Sequence, residues 1–208
     1  MLHSLVRKPF SFLLPLLALA LQMSVLSHRA YAQLPENIDV AANVFGQFTG
    51  STSGNGVKDS PSRSSGALAT FRQSYKPWIG YEVNYSYTRF SEFYSNQPFG
   101  VQENLHEVSG AYLVHGPKLI GFQPFAAAGA AWLIFDPTAT GGQRFAKQNI
   151  PGFLYEFGVN YPILTDHFGA RLEYRGLEYS TPSLGSSALA TNARRQTIEP
   201  TAGLYVHF

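Results

Sequence analysis

From residue 33 onward the chain sorts its side chains in twos. Between Ile79 and Phe90, the positions Ile79, Tyr81, Val83, Tyr85 and Tyr87 alternate with Gly80, Glu82, Asn84, Ser86 and Thr88. A period of two places the first set on one face of a strand and the second on the other, whereas a helix would scatter both around its axis. The same alternation predicts seven further strands. Ile38–Thr49 sets Val40, Ala42, Val44 and Phe48 against Asp39, Asn43, Gln47 and Thr49. Ala67–Tyr75 sets Ala67, Ala69 and Phe71 against Thr70, Arg72 and Ser74. Leu105–His115 sets Val108, Tyr112 and Val114 against Glu107 and Ser109. Phe122–Ile134 pairs an apolar row (Phe122, Ala126, Ala128, Ala130, Trp132) with a row of small residues (Ala127, Gly129, Ala131). Gly152–Tyr161 sets Phe153, Tyr155, Phe157, Val159 and Tyr161 against Gly152, Glu156, Gly158 and Asn160. Phe168–Tyr179 sets Ala170, Leu172 and Tyr174 against Arg171, Glu173 and Arg175. The last run, Thr197–Phe208, ends with Ala202, Leu204, Val206 and Phe208 on one face.

The connections alternate in length. Lys76-Pro77, His115 to Gly121 and Pro162 to His167 are short. Gly50 to Gly66, Ser91 to Glu103, Asp136 to Asn149 and Ser180 to Gln196 are long and polar. The first long connection is rich in Ser and Gly and reads as a low-complexity, mobile loop. Pro200 conflicts with its strand, because proline cannot donate to the ladder. The ladder is expected to begin below it or to bulge there.

The N-terminus follows a different rule. Arg7 and Lys8 precede an apolar run from Phe10 to Leu26, and Ala30 and Ala32 supply the small residues of a signal-peptidase site. Residues 1–32 are therefore expected to be a cleaved secretory signal, leaving one domain, 33–208. Cleavage changes the charge picture. Arg7, Lys8 and Arg29 account for three of the 15 basic residues and leave without any acid, so the mature chain has slightly fewer Lys and Arg than its 13 Asp and Glu. Near-neutrality gives no case for a nucleic-acid partner. The absence of cysteine excludes disulfides, a thiol nucleophile, Cys-ligated zinc and a lipoprotein anchor.

A chain that closes on an alternating strand ending in Phe208 resembles the small eight-stranded outer-membrane barrels: the OmpA-type transmembrane domain and its OmpX-like and OmpW-like relatives. The resemblance implies an all-β, eight-stranded antiparallel up-and-down transmembrane β-barrel in the outer membrane of a Gram-negative-type envelope. It further implies periplasmic termini and turns, four extracellular loops, and an assembly signal in Ala202, Leu204, Val206 and Phe208 that the barrel-assembly machinery reads. Such a chain would contact outer-membrane lipid and lipopolysaccharide, and is expected to be monomeric.

Alternating strands also suit a soluble lipocalin-like barrel with its apolar face inside. Charge favours the inverse. Arg72, Glu82, Glu107, Glu156, Arg171, Glu173, Arg175 and Glu199 all lie opposite the aromatic rows, where they can pair across a filled polar lumen. The aromatics Tyr87, Trp132, Phe153, Tyr161 and Tyr174 are expected near the strand ends, as interfacial girdles. The inward small residues Gly80, Ala127, Gly129, Gly152, Gly158 and Gly203 would make room for the arginines.

Three functions remain open. One is a structural or surface-interaction barrel acting through its loops, without catalysis; the loops' partner is not legible. Another is a narrow channel for water or small solutes. The third is a lipid-modifying enzyme, which would need a nucleophile, base and acid together. No His-x-Ser pair occurs, His106 and Ser109 fall on opposite faces, and His115, His167 and His207 fall at the turn end. His106 reads as a solvated rim residue. No metal-ligand spacing and no phosphate-binding glycine loop is present, so no cofactor is expected.

The facing assignment makes a prediction. Val83→Arg places a charge in lipid at a cost of roughly 2–4 kcal/mol and should impair membrane assembly, whereas Asn84→Arg should be milder. Equal tolerance of both in an assembly assay would reverse the assignment of faces.

Overall fold

Tyr, Val, Thr and Phe at alternating positions favour a pleated surface with two unlike faces, and the chain uses that surface almost throughout. The computed structural model describes residues 37–138, 145–165 and 167–208, with the side chain of Leu164 not described. The expected signal peptide and its cleavage residues, Ala30 and Ala32, lie outside this range. The described residues form ten strands: β1 (Ile38–Thr49), β2 (Thr52–Gly54), β3 (Val57–Pro61), β4 (Ser64–Lys76), β5 (Ile79–Tyr94), β6 (Gly100–His115), β7 (Gln123–Pro137), β8 (Gln148–Thr165), β9 (Phe168–Ser180) and β10 (Arg194–His207).

Eight of them, β1 and β4 to β10, pair antiparallel with their sequence neighbours, and β1 pairs with β10 to close the ring. This is an up-and-down transmembrane β-barrel. The eight alternating segments of the sequence are its eight walls. Several walls run further toward the loop end than the alternation suggested: β5 reaches Tyr94, β6 starts at Gly100 and β10 at Arg194.

Outside, Val44, Val83, Val108, Leu172 and Leu204 form a mid-height apolar belt. Tyr75, Trp78, Tyr112, Phe122 and Tyr161 flank it toward the turn end, and Phe48, Tyr87, Trp132 and Phe153 toward the loop end. Tyr174 departs from the expected girdle. It sits at mid-wall, stacked on Phe157 with ring centroids 4.7 Å apart. At the loop end the belt gives way to outward polar groups, among them Arg89, Asn104, Glu178 and Arg194.

Two expectations about backbone need correcting. The first long connection is not irregular. Asn55 and Gly56, both at positive φ, turn it into the β2–β3 hairpin, and Asp59, Ser60 and Pro61 pair with Tyr94, Phe93 and Glu92 of β5. Pro200 neither starts its strand nor bulges it. β10 begins six residues earlier, and the β1–β10 register is the same on both sides of it. The ladder merely omits Gly46 and Gln47 opposite Pro200 and Glu199, since proline offers no N–H there.

The interior also differs from a uniformly polar lumen. One sector is apolar: Leu105, Leu113, Leu133, Leu154 and Leu177 join Phe125 and Phe135 in a buried cluster along β6 to β9. The cluster continues upward into Val57, Tyr94, Val101, Leu184 and Leu189, so the hairpin and the β9–β10 loop share its core. Polar and charged side chains fill the rest of the interior, among them Glu107, Glu156 and Arg175 on the same strands. Close approach of walls constrains Gly129, where a Cβ would collide with the Gly110 carbonyl oxygen and Ala111 of β6. Gly129→Ala should destabilise the barrel by about 1–3 kcal/mol, measured as a lower urea midpoint for the folded band in detergent; an unchanged midpoint would contradict the close β6–β7 packing.

Candidate functional site

Strand pairing sets the lumen charges beside one another before any side chain turns. Arg72 of β4 faces Glu82 of β5 in register, and Arg175 of β9 lies between Glu156 of β8 and Glu199 of β10. All eight charged residues assigned to the lumen point inward and are at most 6 % exposed.

Two arginines organise them. Arg175 meets three carboxylates: Glu199 at 2.6 Å, Glu156 at 2.7 Å and, across the lumen on β6, Glu107 at 2.8 Å. Each guanidinium nitrogen is thereby used. Arg72 meets Glu82 at 2.6 Å and reaches across to Glu173 at 3.2 Å and Glu156 at 3.8 Å. Its guanidinium lies 3.9 Å from the centroid of the Phe125 ring, a cation–π contact strengthened by the lack of water. Gly158 leaves the space for that ring rather than for an arginine directly, because a Cβ there would press on Phe125 and Glu173. Arg171 is the exception among the three. It hydrogen-bonds Asn160 at 2.8 Å and reaches Asp39 at 3.3 Å. Asn84 donates to Glu82 at 2.8 Å and Ser86 to Glu107 at 3.0 Å. Asp39, Asn84, Asn160 and Phe125 thus belong to the network although charge alone did not select them.

At the turn end the network opens into a cavity of about 320 Å³ lined by Asp39, Ser74, Lys76, His115, Lys118 and His207. Asp39 also holds His207 at 2.6 Å. Ser74 Oγ lies 3.2 Å from His115 Nε2. The other ring nitrogen of His115 has no hydrogen-bond partner among the described residues. His106 is not simply solvated. It packs between Tyr85 and Tyr87 on the outer wall and shares a 2.8 Å hydrogen bond with the Tyr85 hydroxyl. Among the described residues no group of His, Asp and Glu has the arrangement of a metal site.

A second charge cluster sits at the loop end, above the outward polar residues Arg89 and Glu178 and hence beyond the apolar belt. Arg195 of β10 is ion-paired with Asp59 of β3 and Glu92 of β5, and donates to Thr52 of β2 at 3.4 Å. Tyr94 donates to Glu92. Glu103 of β6 completes the group, fully buried beside the Glu92 carboxyl and with no N–H or hydroxyl donor on either oxygen among the described residues. Burial, reinforced by Glu92, pushes the Asp59 carboxyl up to about 7 and holds that of Glu103 well above the usual carboxylate range. Sequence reasoning missed this cluster because it placed all four charged residues in loops. The signal was there: Glu92 keeps the parity of Glu82, Glu103 that of Glu107, and Arg195 that of Glu199.

With closure, outward belt and charged lumen established, comparison with solved structures is decisive for the fold. Neisserial surface protein A superposes with a TM-score of 0.60 at 16% identity, covering 82% of this chain and 97% of that one. The outer membrane protein OprG from Pseudomonas aeruginosa gives 0.60 at 14% identity, over 83% and 96%. Its fold is that of the small outer-membrane β-barrels. The outer membrane protein AlkL, determined in DMPC lipid bilayers, shares that fold with a TM-score of 0.51 at 11% identity, over 85% and 93%. No family model and no curated protein matches the sequence.

Arg175→Ala should cost about 3–5 kcal/mol by leaving Glu107 and Glu199 buried without a cation and Glu156 with only its 3.8 Å contact to Arg72. The unfolding midpoint in urea, followed by the shift between folded and unfolded bands, measures it. Near-wild-type stability would mean that the three carboxylates do not depend on Arg175.

Proposed function

We propose that this chain is an integral outer-membrane protein whose barrel is a rigid, filled support and whose activity is non-catalytic presentation of its loop end at the cell surface. The carrying observation is that the lumen is bridged from wall to wall. Arg175 ties β9 to β6, and Arg72 ties β4 to β8 and β9, while the apolar cluster occupies the other sector. An eight-stranded barrel has room only for its own side chains. The turn end faces the periplasm and the loop end the exterior, the orientation expected of a secreted chain with an even number of strands. Ala202, Leu204 and Val206, exposed on β10 next to Phe208, then form the signal through which the assembly machinery receives the chain. The partner of the surface is a lipopolysaccharide-bearing membrane or a neighbouring cell-surface molecule. Catalysis has little to build on: the Ser74–His115 contact faces the periplasm and lacks an orienting acid on the second ring nitrogen.

A narrow conduit is the second reading. It is favoured by the periplasmic cavity and by lumen groups left without hydrogen-bond partners among the described residues, namely Arg72 Nη1, Arg171 Nη1 and Glu173 Oε1. Six carboxyls, those of Asp39, Glu82, Glu107, Glu156, Glu173 and Glu199, share the lumen with Arg72, Arg171 and Arg175, so a conducting form would prefer cations.

Residues 33–208 refolded in detergent should migrate faster unboiled than boiled and should give no steady conductance in planar bilayers. Sustained cation-selective steps would replace the filled-support reading with the conduit. A chain soluble without detergent and lacking the gel shift would overturn both.

A further inference from the structure

The β2–β3 hairpin is fastened to the loop end by strand pairing, hydroxyl hydrogen bonds and a set of buried charges. Three register pairs join it to β5. Asn55 donates to the Ala190 carbonyl at 2.9 Å, and Lys58 and Ser95 exchange two hydrogen bonds. Thr52 of β2 accepts from Thr181 at 3.3 Å and from Arg195 at 3.4 Å and shares a 3.5 Å contact with Thr191, Ser62 exchanges two hydrogen bonds with Ser91, and Val57 in the upper apolar cluster and the buried charges around Asp59 complete the attachment.

Those charges do not balance. Asp59 approaches from β3, Glu92 and Tyr94 from β5, Glu103 from β6 and Arg195 from β10, with Tyr179 of β9 opposite Arg195 in register. Among the described residues Arg195 is the only cation ion-paired with any of the three carboxyls. The short helix after the β9 strand, Ser187–Leu189, which also meets β3, brings no titratable group. Glu92 and Glu103 are diagonal neighbours on the inward face, since Glu92 pairs with Val101 and Phe90 with Glu103. Like charges at that spacing repel. A buried carboxylate without a donor is unfavourable; Glu103 lies within hydrogen-bonding reach of the Glu92 carboxyl, a contact two ionised groups cannot make, and neither its oxygens nor Oδ1 of Asp59 receives any other donor among the described residues. The group is stable only if carboxyls keep protons.

We propose that the β2–β3 hairpin is a proton-dependent latch: the Asp59–Glu92–Glu103 cluster around Arg195 holds it over the extracellular mouth while carboxyls are protonated, and releases it when they ionise. The sign follows from linkage. The closed form binds more protons than the open one, so closure is strongest in acid and weakens as pH rises. Asp59, held up to about 7, sets the lower part of the window. Glu103, its carboxyl likewise held well above the usual carboxylate range by burial and Glu92, adds to the same dependence. Only the word extracellular rests on the orientation proposed above; the latch itself does not.

The cysteine-free sequence permits a clean distance measurement. Spin labels at Lys58→Cys on the hairpin and Glu178→Cys on the outer face of β9 would be followed in the full barrel at about pH 5 and about pH 9. The expected result is one narrow distance in acid and a second, longer population in base, the open-to-closed ratio rising at least about tenfold. Glu103→Gln, which cannot ionise and whose amide can donate to Glu92, should remain mostly closed at the higher pH. If Glu103→Gln fails to give a heat-modifiable band, Asp59→Asn is read in the same way. A wild-type distribution that does not change with pH overturns the proposal, as does an equal change in wild type and variant. Loss of the heat-modifiable band in wild type at the higher pH would indicate failure of the barrel itself and would likewise overturn a local latch.

Discussion

A sheet closed on itself has no spare interior. Once eight strands pair around the ring, every second side chain is committed to a narrow space that bulk water does not fill, and each charge there must find its counter-charge on another wall. This constraint accounts for the three-way contact of Arg175, for the span of Arg72 across the lumen and for the ring of Phe125 beneath its guanidinium. It also accounts for the division of the interior. Leucines and phenylalanines of β6 to β9 form an apolar cluster, and the polar network runs beside it from β4 and β5 to Glu107, Glu156 and Arg175 on those same strands, with partners supplied in register and across the lumen.

The two ends of the barrel solve the same packing problem differently. At the turn end, tight connections add little covering, and the lumen widens into a cavity with lysines and histidines at its edge. At the loop end, the walls rise past the apolar belt and carry their alternation with them. Inward residues there need a cover, which the hairpin and the β9–β10 loop provide. The buried acids of the cap are therefore an extension of the lumen chemistry into the aqueous side.

The number of walls, their faces and the inward charges were legible because a period of two leaves little ambiguity once Tyr85 and Asn84 are assigned to opposite sides. Three things were not. The strand ends were obscured by Ser, Asn and Gly, which serve loops and solvent-facing edges equally; Glu92, Glu103 and Arg195 fell on the wrong side of that boundary. The hairpin depended on Asn55 and Gly56 adopting positive φ together, a signal diluted by serines and glycines around it. The apolar sector was hidden because Leu133, Leu154 and Leu177 sit at inward positions where the alternation argued for polarity. In each case a long-range contact decided what a local pattern could not.

The omission of Gly46 and Gln47 from the ladder opposite Pro200 has a mechanical consequence. The β1–β10 seam joins residues as far apart as Asp39 and His207, 168 positions along the chain, and is the costliest pairing in loop entropy. It is interrupted in mid-strand, whereas the irregularities of the β4–β5 and β8–β9 pairings lie at their turn ends. The seam whose closure costs most in chain entropy thus carries an interruption in its middle, and because each terminus continues one of its two strands, a pull on the ends loads that line directly, as on a slit cylinder.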